Sequence, residues 1–313
     1  MLKSQASNWA YSDLARPFPA TDVPHVFPWC ERYQTFRALS IAMDGALRIR
    51  DFQLARDRYI IFSDLHKGSR HPKIDVFQPN EQIYSEALRY YLDQDYRLIL
   101  NGDIEEGWKA DYRHVFAAYE HTAYAIERAF AAEDRHYFRT YGNHDDDWAD
   151  PRQVDRFLKP MFGSINVYPA IILGSRIVIA HGHQGDLHSD RNAWLSQRLV
   201  RYIWRPIQLL TGLQERCRAS ENHTVCSPRD QHLSTWAQAN HLLLIAGHTH
   251  RPMLNNDRAP LFSTPYVNDG CCVHDHAITG LELDQGEIRL VKWETLRRTV
   301  LKSADLGALL AGL

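Results

Sequence analysis

The chain has 313 residues, 44% of them hydrophobic and 24% charged, a balance that supports a sizeable buried core and excludes a disordered chain. Its formal net charge of -2 offers no global basic field for nucleic acid, and its five cysteines, none in a CxxC pair, form neither a disulfide framework nor a thiolate zinc site. The N-terminus lacks an apolar signal core and no stretch approaches a membrane span, so a cytoplasmic protein is expected, at most peripheral on the inner membrane surface.

Residues 1–50 hold four prolines in RPFPATDVPHVFPWC and show no period, so they are expected to form an extended N-terminal arm buried at Phe18, Phe27 and Trp29. A domain over 51–297 follows. RYIIFS (58–63) reads as a buried strand. Asn80 opens a helix with Tyr84, Leu88, Tyr91 and Leu92 on one face. YRLILN (96–101) is a second strand; Val115, Phe116, Tyr119, Ala123, Ile126 and Phe130 trace the next helical stripe, and HYFRTYG (136–142) is a third strand. This alternation implies parallel strands with crossover helices. AIIL and RIVIA flank a two-residue turn, Gly174-Ser175, and HLLLIA (241–246) is another buried strand. A closing hairpin turns at Asp284-Gln285-Gly286, leaving 298–313 as a C-terminal tail. Between residues 186 and 240 an Arg-rich helical insert interrupts the strands, with Pro206 breaking it in two.

Five short blocks each follow an apolar strand: SDLH with Asp64 and His66, NGDIEEGW with Asp103, GNHD with Asn143 and His144, HGH with His181, and GHTH with His248 and His250. Strand C-termini share one edge of a parallel sheet, where open α/β sheets bind ligands. Converging there, carboxylates, an amide and imidazoles without thiolate suit Mn²⁺, Fe or Zn²⁺. The donors outnumber one tetrahedral site, so two ions are expected, with Asp103 as the bridge. A single Asp-x-His recurs by chance, and GNHD or GHTH alone reads equally well as a surface turn. Five blocks in order do not.

DLH, GD, GNHD, HGH and GHTH in this order resemble the calcineurin-like metallophosphoesterase superfamily across roughly residues 58–293. The resemblance implies a four-layer α/β/β/α sandwich, with Asp64, His66, Asp103 and His250 at one metal. It places Asp103, Asn143, His181 and His248 at the other, and His144 as catalytic acid beside them. The implied reaction is hydrolysis of a phosphate ester or pyrophosphate by metal-activated hydroxide. Mn²⁺ is the expected ion and Fe, Zn²⁺ or Mg²⁺ the alternatives. Glu106 is placed to orient His144. Protein Ser/Thr phosphatases carry GDxxDRG at the second block; this chain has no Arg there and Glu106 in place of Asp. GDxxExW resembles instead the UDP-2,3-diacylglucosamine hydrolases, which cut a pyrophosphate and carry a helical insert between the fourth and fifth blocks. Many of those have Arg where this chain has His144.

The insert sets Arg198, Arg201 and Arg205 among Trp194, Leu199, Ile203 and Trp204, which fits a lid or interfacial helix meeting an anionic amphiphile and, equally, a hairpin packed on its own domain or a second subunit. Arg251, Arg198, Arg201 and His183 are candidate substrate contacts. A phosphorylated small molecule or a lipid-linked substrate is the expected partner and nucleic acid is not. The competing readings are a broad phosphodiesterase or nuclease, and a non-catalytic scaffold of the same fold.

Overall fold

The computed structural model describes residues 30–134, 136–186, 190, 198–211, 227–254 and 265–313. In chain order the strands are β1 (Leu47–Ile49), β2 (Arg58–Phe62), β3 (Arg97–Asn101), β4 (Tyr137–Thr140), β5 (Val167–Tyr168) and β6 (Ile171–Leu173). After them come β7 (Ile177–Ile179), β8 (Leu243–Ala246), β9 (Tyr266–Asn268), β10 (Ile278–Asp284), β11 (Glu287–Glu294) and β12 (Arg297–Asp305). Among the described residues they make a seven-stranded sheet, β12-β11-β10-β2-β3-β4-β5, and a five-stranded sheet, β1-β6-β7-β8-β9. β2 to β5 run parallel, with β10 antiparallel on β2; β7, β8 and β9 are parallel.

Side-chain alternation along each strand builds the layers. Tyr59 and Ile61 of β2 face the second sheet, where they meet Ile171, Ile177, Ile179 and Ile245. Ile60 and Phe62 face outward to the helices Glu81–Asp93, Tyr112–Tyr119 and Ala123–Ala132. On the far side, Val178, Ala180 and Leu244 meet the helices Glu31–Asp44 and Pro228–Ala239. The result is the expected α/β/β/α sandwich, and it explains why the central strands read as unbroken apolar runs: both their faces are buried.

Several local expectations are corrected. The stripe from Val115 to Phe130 is buried throughout but belongs to two helices, which part at Glu120–Thr122, where the Thr122 hydroxyl bonds Glu81. Asn80 does open its helix, at the N-cap position, but its side chain makes no cap bond; its amide nitrogen reaches the carbonyls of Cys272, His274 and Ala277 at 3.0, 2.6 and 3.2 Å, tying the helix start to the loop before β10. The β6–β7 connection has three residues, since Leu173 pairs with Ile177 and Arg176 instead lends its carbonyl to Leu243 of β8. The β10–β11 turn is Gln285-Gly286 with φ of 49° and 94°, the positive pair that a tight two-residue hairpin requires.

Within 1–50, residues 31–44 form a helix and 47–49 an edge strand rather than an extended arm; Phe18, Phe27 and Trp29 lie outside the described residues. Residues 298–313, read from sequence as a tail, carry most of β12 and the helix Leu306–Ala311, whose Leu306 is buried in the inter-sheet core. At the end of the insert, Ser227 and Asp230 make a reciprocal capping box that starts Pro228–Ala239. Leu233, Trp236 and Ala237 bury that helix in the domain. Among the described residues no helix is long and apolar enough to cross a membrane.

Candidate metal centre and active site

The loops leaving β2, β3, β4, β7 and β8 meet at one rim and bring the five blocks together. Three groups of potential ligand atoms each lie within 4.8 Å: Asp64, His66 and His250; His66, Asp103 and His144; and Asp103, His181 and His248. The backbone is forced into place to achieve this. Asp64, His66, Asp103, His248 and His250 all have left-handed φ, between 48° and 64°, although none is glycine. Such conformations cluster where a site over-determines them. Two glycines allow the close approach: a Cβ on Gly142 would sit 2.2 Å from Asp103 Oδ1, and one on Gly247 would sit 2.1 Å from Ser63 Oγ.

His181 donates Nδ1–H to the Asn101 carbonyl at 2.8 Å, which turns Nε2 toward Asp103 Oδ2 at 3.2 Å. His250 Nε2 lies 3.0 Å from Asp64 Oδ1 and the His248 backbone N–H donates to Asp64 Oδ2 at 2.9 Å. Both ring nitrogens of His66, Nε2 of His181 and Oδ1 of Asn143 are buried without a hydrogen-bond partner. Buried polar atoms are rarely left this way, and four at one rim beside two carboxylates fit a site that a cation completes.

The electrostatics agree. Burial alone would push Asp64 and Asp103 up, yet the surrounding histidines, His250 and His181 foremost, hold both well below the usual carboxylate range. Burial pulls His66 and His181 down, but the carboxylates of Asp64, Asp103 and Glu106 around His66, and of Asp103 and Asp64 around His181, raise them to about 10 and about 9. His183, buried beside His181, is lowered to about 3 by desolvation and by that neighbour.

Beside the cluster, His144 Nδ1 lies 2.8 Å from Glu106 Oε1, and its ring stacks on Trp108 with centroids 4.1 Å apart. Its backbone N–H donates to Asp103 Oδ1 at 2.8 Å. Glu106 is in turn 3.4 Å from Lys109 Nζ; burial opposes its charge, but His144 and Lys109 outweigh it and hold the carboxyl well below its ordinary value.

Sequence reasoning overlooked three supports. Asp145 Oδ1 accepts the Gly142 and Asp103 N–H groups at 2.7 and 3.2 Å, and its Oδ2 accepts that of Ile104 at 2.7 Å, stitching the third block to the second. Asp145 is the last letter of GNHD, and its value as a loop cap for another strand is invisible without the fold. The Ser63 hydroxyl lies 2.5 Å from Asp64 Oδ2 and 2.7 Å from Asp269 Oδ1, and burial together with Asp64 pushes the Asp269 carboxyl well up. The Ser63 hydroxyl thus sits between the two carboxylates, while Oδ2 of Asp269 is buried without a hydrogen-bond partner. Arg229 holds the HGH loop, donating to the carbonyls of Gly182 and Gln184 at 2.7 and 2.6 Å.

Of the substrate-contact candidates, His183 lies with the cluster, its ring 5.4 Å from that of His181. Arg251 follows His250 and is half-buried, while Arg198 is exposed. The side chain of Arg201 falls outside the described residues.

The calcineurin-like phosphoesterase family model matches residues 58–252, from the first residue of β2 to just past His250, and the chain belongs to that family of phosphate-ester hydrolases. Among solved structures, a dimetal phosphatase from Danio rerio is similar at 12% identity and a TM-score of 0.39, over 79% of this chain and 98% of that one. Comparison with curated proteins finds no significant match.

Proposed function

We propose that the chain is a dinuclear phosphoesterase holding one divalent ion among Asp64, His66, Asp103 and His250 and a second among Asp103, Asn143, His181 and His248, with Mn²⁺ the preferred metal. The observation that carries this reading is the set of buried, unpaired donor atoms on His66, His181 and Asn143 around Asp64 and Asp103. Ions bound there would supply Lewis acidity to a phosphoryl group and lower the pKa of the attacking water. The chain's own residues do the rest. His144 gives the proton on Nε2 to the departing oxygen, while Glu106 keeps Nδ1–H occupied and Trp108 fixes the ring plane. Glu106, held ionised by His144 and Lys109, stabilises the charged imidazole before transfer.

For the substrate, a pyrophosphate on a small or lipid-linked carrier, in the manner of UDP-2,3-diacylglucosamine, is the leading class. The insert supports an amphiphile: Leu199, Tyr202, Ile203 and Ile207 are 48%, 71%, 54% and 37% exposed within ten residues, a patch suited to a lipid surface. The test is hydrolysis of p-nitrophenyl phosphate, bis-p-nitrophenyl phosphate and a UDP-linked amphiphile by metal-depleted protein refilled with Mn²⁺, Fe²⁺, Zn²⁺ or Mg²⁺. Metal-dependent turnover abolished by EDTA is expected, with the amphiphile turned over best. No turnover with any metal would leave the scaffold reading in its place.

A further inference from the structure

The insert separates the fourth and fifth blocks in sequence, and the chain returns from it through the helix Pro228–Ala239, whose first turn touches both blocks. Arg229 and Asp230 are the second and third residues of that helix, and both are buried. Arg229 Nε and Nη2 donate to the carbonyl of Gly182, between His181 and His183, at 2.8 and 2.7 Å. Nη2 also reaches the Gln184 carbonyl at 2.6 Å, and Nη1 donates to the Thr35 hydroxyl of the helix Glu31–Asp44 at 2.6 Å. The same loop is pressed on that helix at Gly185, where a Cβ would sit 2.5 Å from the Gln34 carbonyl carbon.

Asp230 serves the other block. Its Oδ2 completes the capping box, accepting the N–H and hydroxyl of Ser227 at 3.0 and 2.7 Å. Its Oδ1 accepts the hydroxyls of Thr249 and Tyr266 at 2.9 and 2.8 Å. Thr249 stands between His248 and His250, and the Asn268 amide braces it from the far side, donating to Thr249 Oγ1 at 3.1 Å and to the Gly247 carbonyl at 2.7 Å. The two loops meet under this turn. A Cβ on Gly182 would lie 3.5 Å both from His248 Cβ and from Leu233 Cδ1 of the helix, and the rings of His181 and His248 are 5.3 Å apart. A guanidinium fork and a carboxylate on consecutive residues, at a helix start locked by its own cap, fix the spacing of the loops they grip.

We propose that Arg229 and Asp230 are positioning residues for the second ion: they set His181 against His248, so that the turn closing the insert fixes the affinity of that position. The inference rests on the two-ion reading and adds to it a division between the ions. His181 and His248 both belong to the second set, and each sits on a loop that this turn holds. Asp64 and His66 of the first set leave β2, and His250 Nε2 has its own partner in Asp64 at 3.0 Å. Loosening the turn therefore weakens the second ion before the first.

The test titrates Mn²⁺ into the metal-depleted full chain and reads binding by calorimetry. His181→Ala, which lacks a second-ion ligand, marks the step of the wild-type titration that belongs to that ion. Arg229→Gln and Thr249→Val are each expected to weaken that step about tenfold or more and to leave the other within about threefold, as loss of an outer partner of a metal ligand does. Arg229→Lys, which can meet one carbonyl but cannot fork across two, is expected to fall between Arg229→Gln and wild type. Urea unfolding of the metal-free variants is measured alongside. Thr249 is half-buried and Val is close to it in shape, so Thr249→Val decides the question where Arg229→Gln does not fold. Lowered urea midpoints with both affinities unmoved would make the turn a structural device only and overturn the proposal, and so would equal weakening of both steps. A wild type that takes up no divalent ion overturns the two-ion reading and this inference with it; two wild-type steps that the variants leave unmoved overturn the inference alone.

Discussion

His66 and Lys67 are neighbours in the chain, and so are Glu105 and Glu106, yet in each pair one side chain turns to the rim and the other into the core. The two environments end differently. In the core, Lys67 pairs with Glu127, which also accepts the hydroxyls of Tyr84 and Tyr137 at 3.0 and 3.1 Å. Arg139 and the indole of Trp148 share Glu105 Oε2 at 2.5 and 2.9 Å, and the Tyr124 hydroxyl takes Oε1 at 2.9 Å. Two cations meet two anions, and every carboxylate oxygen there has a donor. At the rim, Asp64, Asp103 and Glu106 face one lysine, Lys109, and histidine nitrogens stay unpaired. The carboxylates of the core layer are all met by the fold, with Nε and Nη1 of Arg139 left unpaired; the rim's unpaired atoms are of metal-ligand type and are left for a ligand to finish.

That contrast is broken most severely at Asp103. Asp103→Asn keeps the Oδ1 acceptor for the His144 N–H but removes the charge shared by both proposed ions. Metal content by mass spectrometry should fall at both positions. Turnover should drop by at least the ~10²–10³-fold of one lost transition-state contact. Stability of the metal-free protein should also fall, since against burial His181 and His144 hold the Asp103 carboxyl depressed there, but by less than for Glu127→Gln in the core, because Asp64 and Glu106 still face the histidines. A collapse in unfolding midpoint would mean that the rim, too, is built for stability.

His144→Asn removes the proton donor and leaves the ligands alone. Metal content should be retained and turnover of p-nitrophenyl phosphate should fall ~10²–10⁴-fold. Glu106→Gln should cost less, ~10–100-fold, as an outer partner does. Loss of metal in His144→Asn would assign that ring to the cluster instead.

In the core the outcome should invert. Glu127→Gln strands a fully buried Lys67 ammonium, already lowered by desolvation and kept charged by Glu127 and Glu105, and should cost ~3–5 kcal/mol in urea unfolding. Metal bound per folded molecule should be unchanged. The double variant Lys67→Met with Glu127→Leu should recover part of that stability, since it removes the stranded charge but leaves the Tyr84 and Tyr137 hydroxyls without their Glu127 acceptor. Failure to recover would show that the pair holds the His66 loop as well as the core.

How much of this could be read in the sequence follows the same division. The sandwich and the rim were legible, because a strand buried on both faces leaves an apolar run and each such run ends in a block of metal-ligand type. The core layer was not. Nothing local distinguishes Lys67 from an exposed lysine or Glu105 from Glu106; which one turns inward is decided by the left-handed φ of 48° at His66 and by Arg139, which arrives from another strand. The start of the helix at Asn80 was legible, but what its side chain does was not: its three carbonyl partners come from residues 272–277, almost two hundred positions away. The tail over 298–313 was misread because β12 is an edge strand with one exposed face, so it lacks the apolar run that marked the others.

The smallest effect is expected at a charge cluster that belongs to neither environment. Asp284, at the end of β10, accepts Arg289 Nη1 at 2.7 Å and Arg58 Nε at 2.9 Å on the sheet surface. Burial nudges its carboxyl up, but the two guanidinium groups and the Tyr96 hydroxyl outweigh that and hold it below the usual carboxylate value. A carboxyl whose pKa is depressed on folding contributes stability above its unfolded value, near pH ~4, and loses it as pH falls through the folded value. Asp284→Asn should therefore lower stability by no more than about 1 kcal/mol at neutral pH, because solvent and salt screen a pair this exposed. The difference from wild type should shrink below pH ~4 and in high salt, and metal content should not move. Urea midpoints at two pH values and two salt concentrations decide it. A loss as large as that of Glu127→Gln, insensitive to salt, would mean that carboxylate–cation pairs stabilise this fold wherever they occur, and the distinction between a closed core and an open rim would lose its basis.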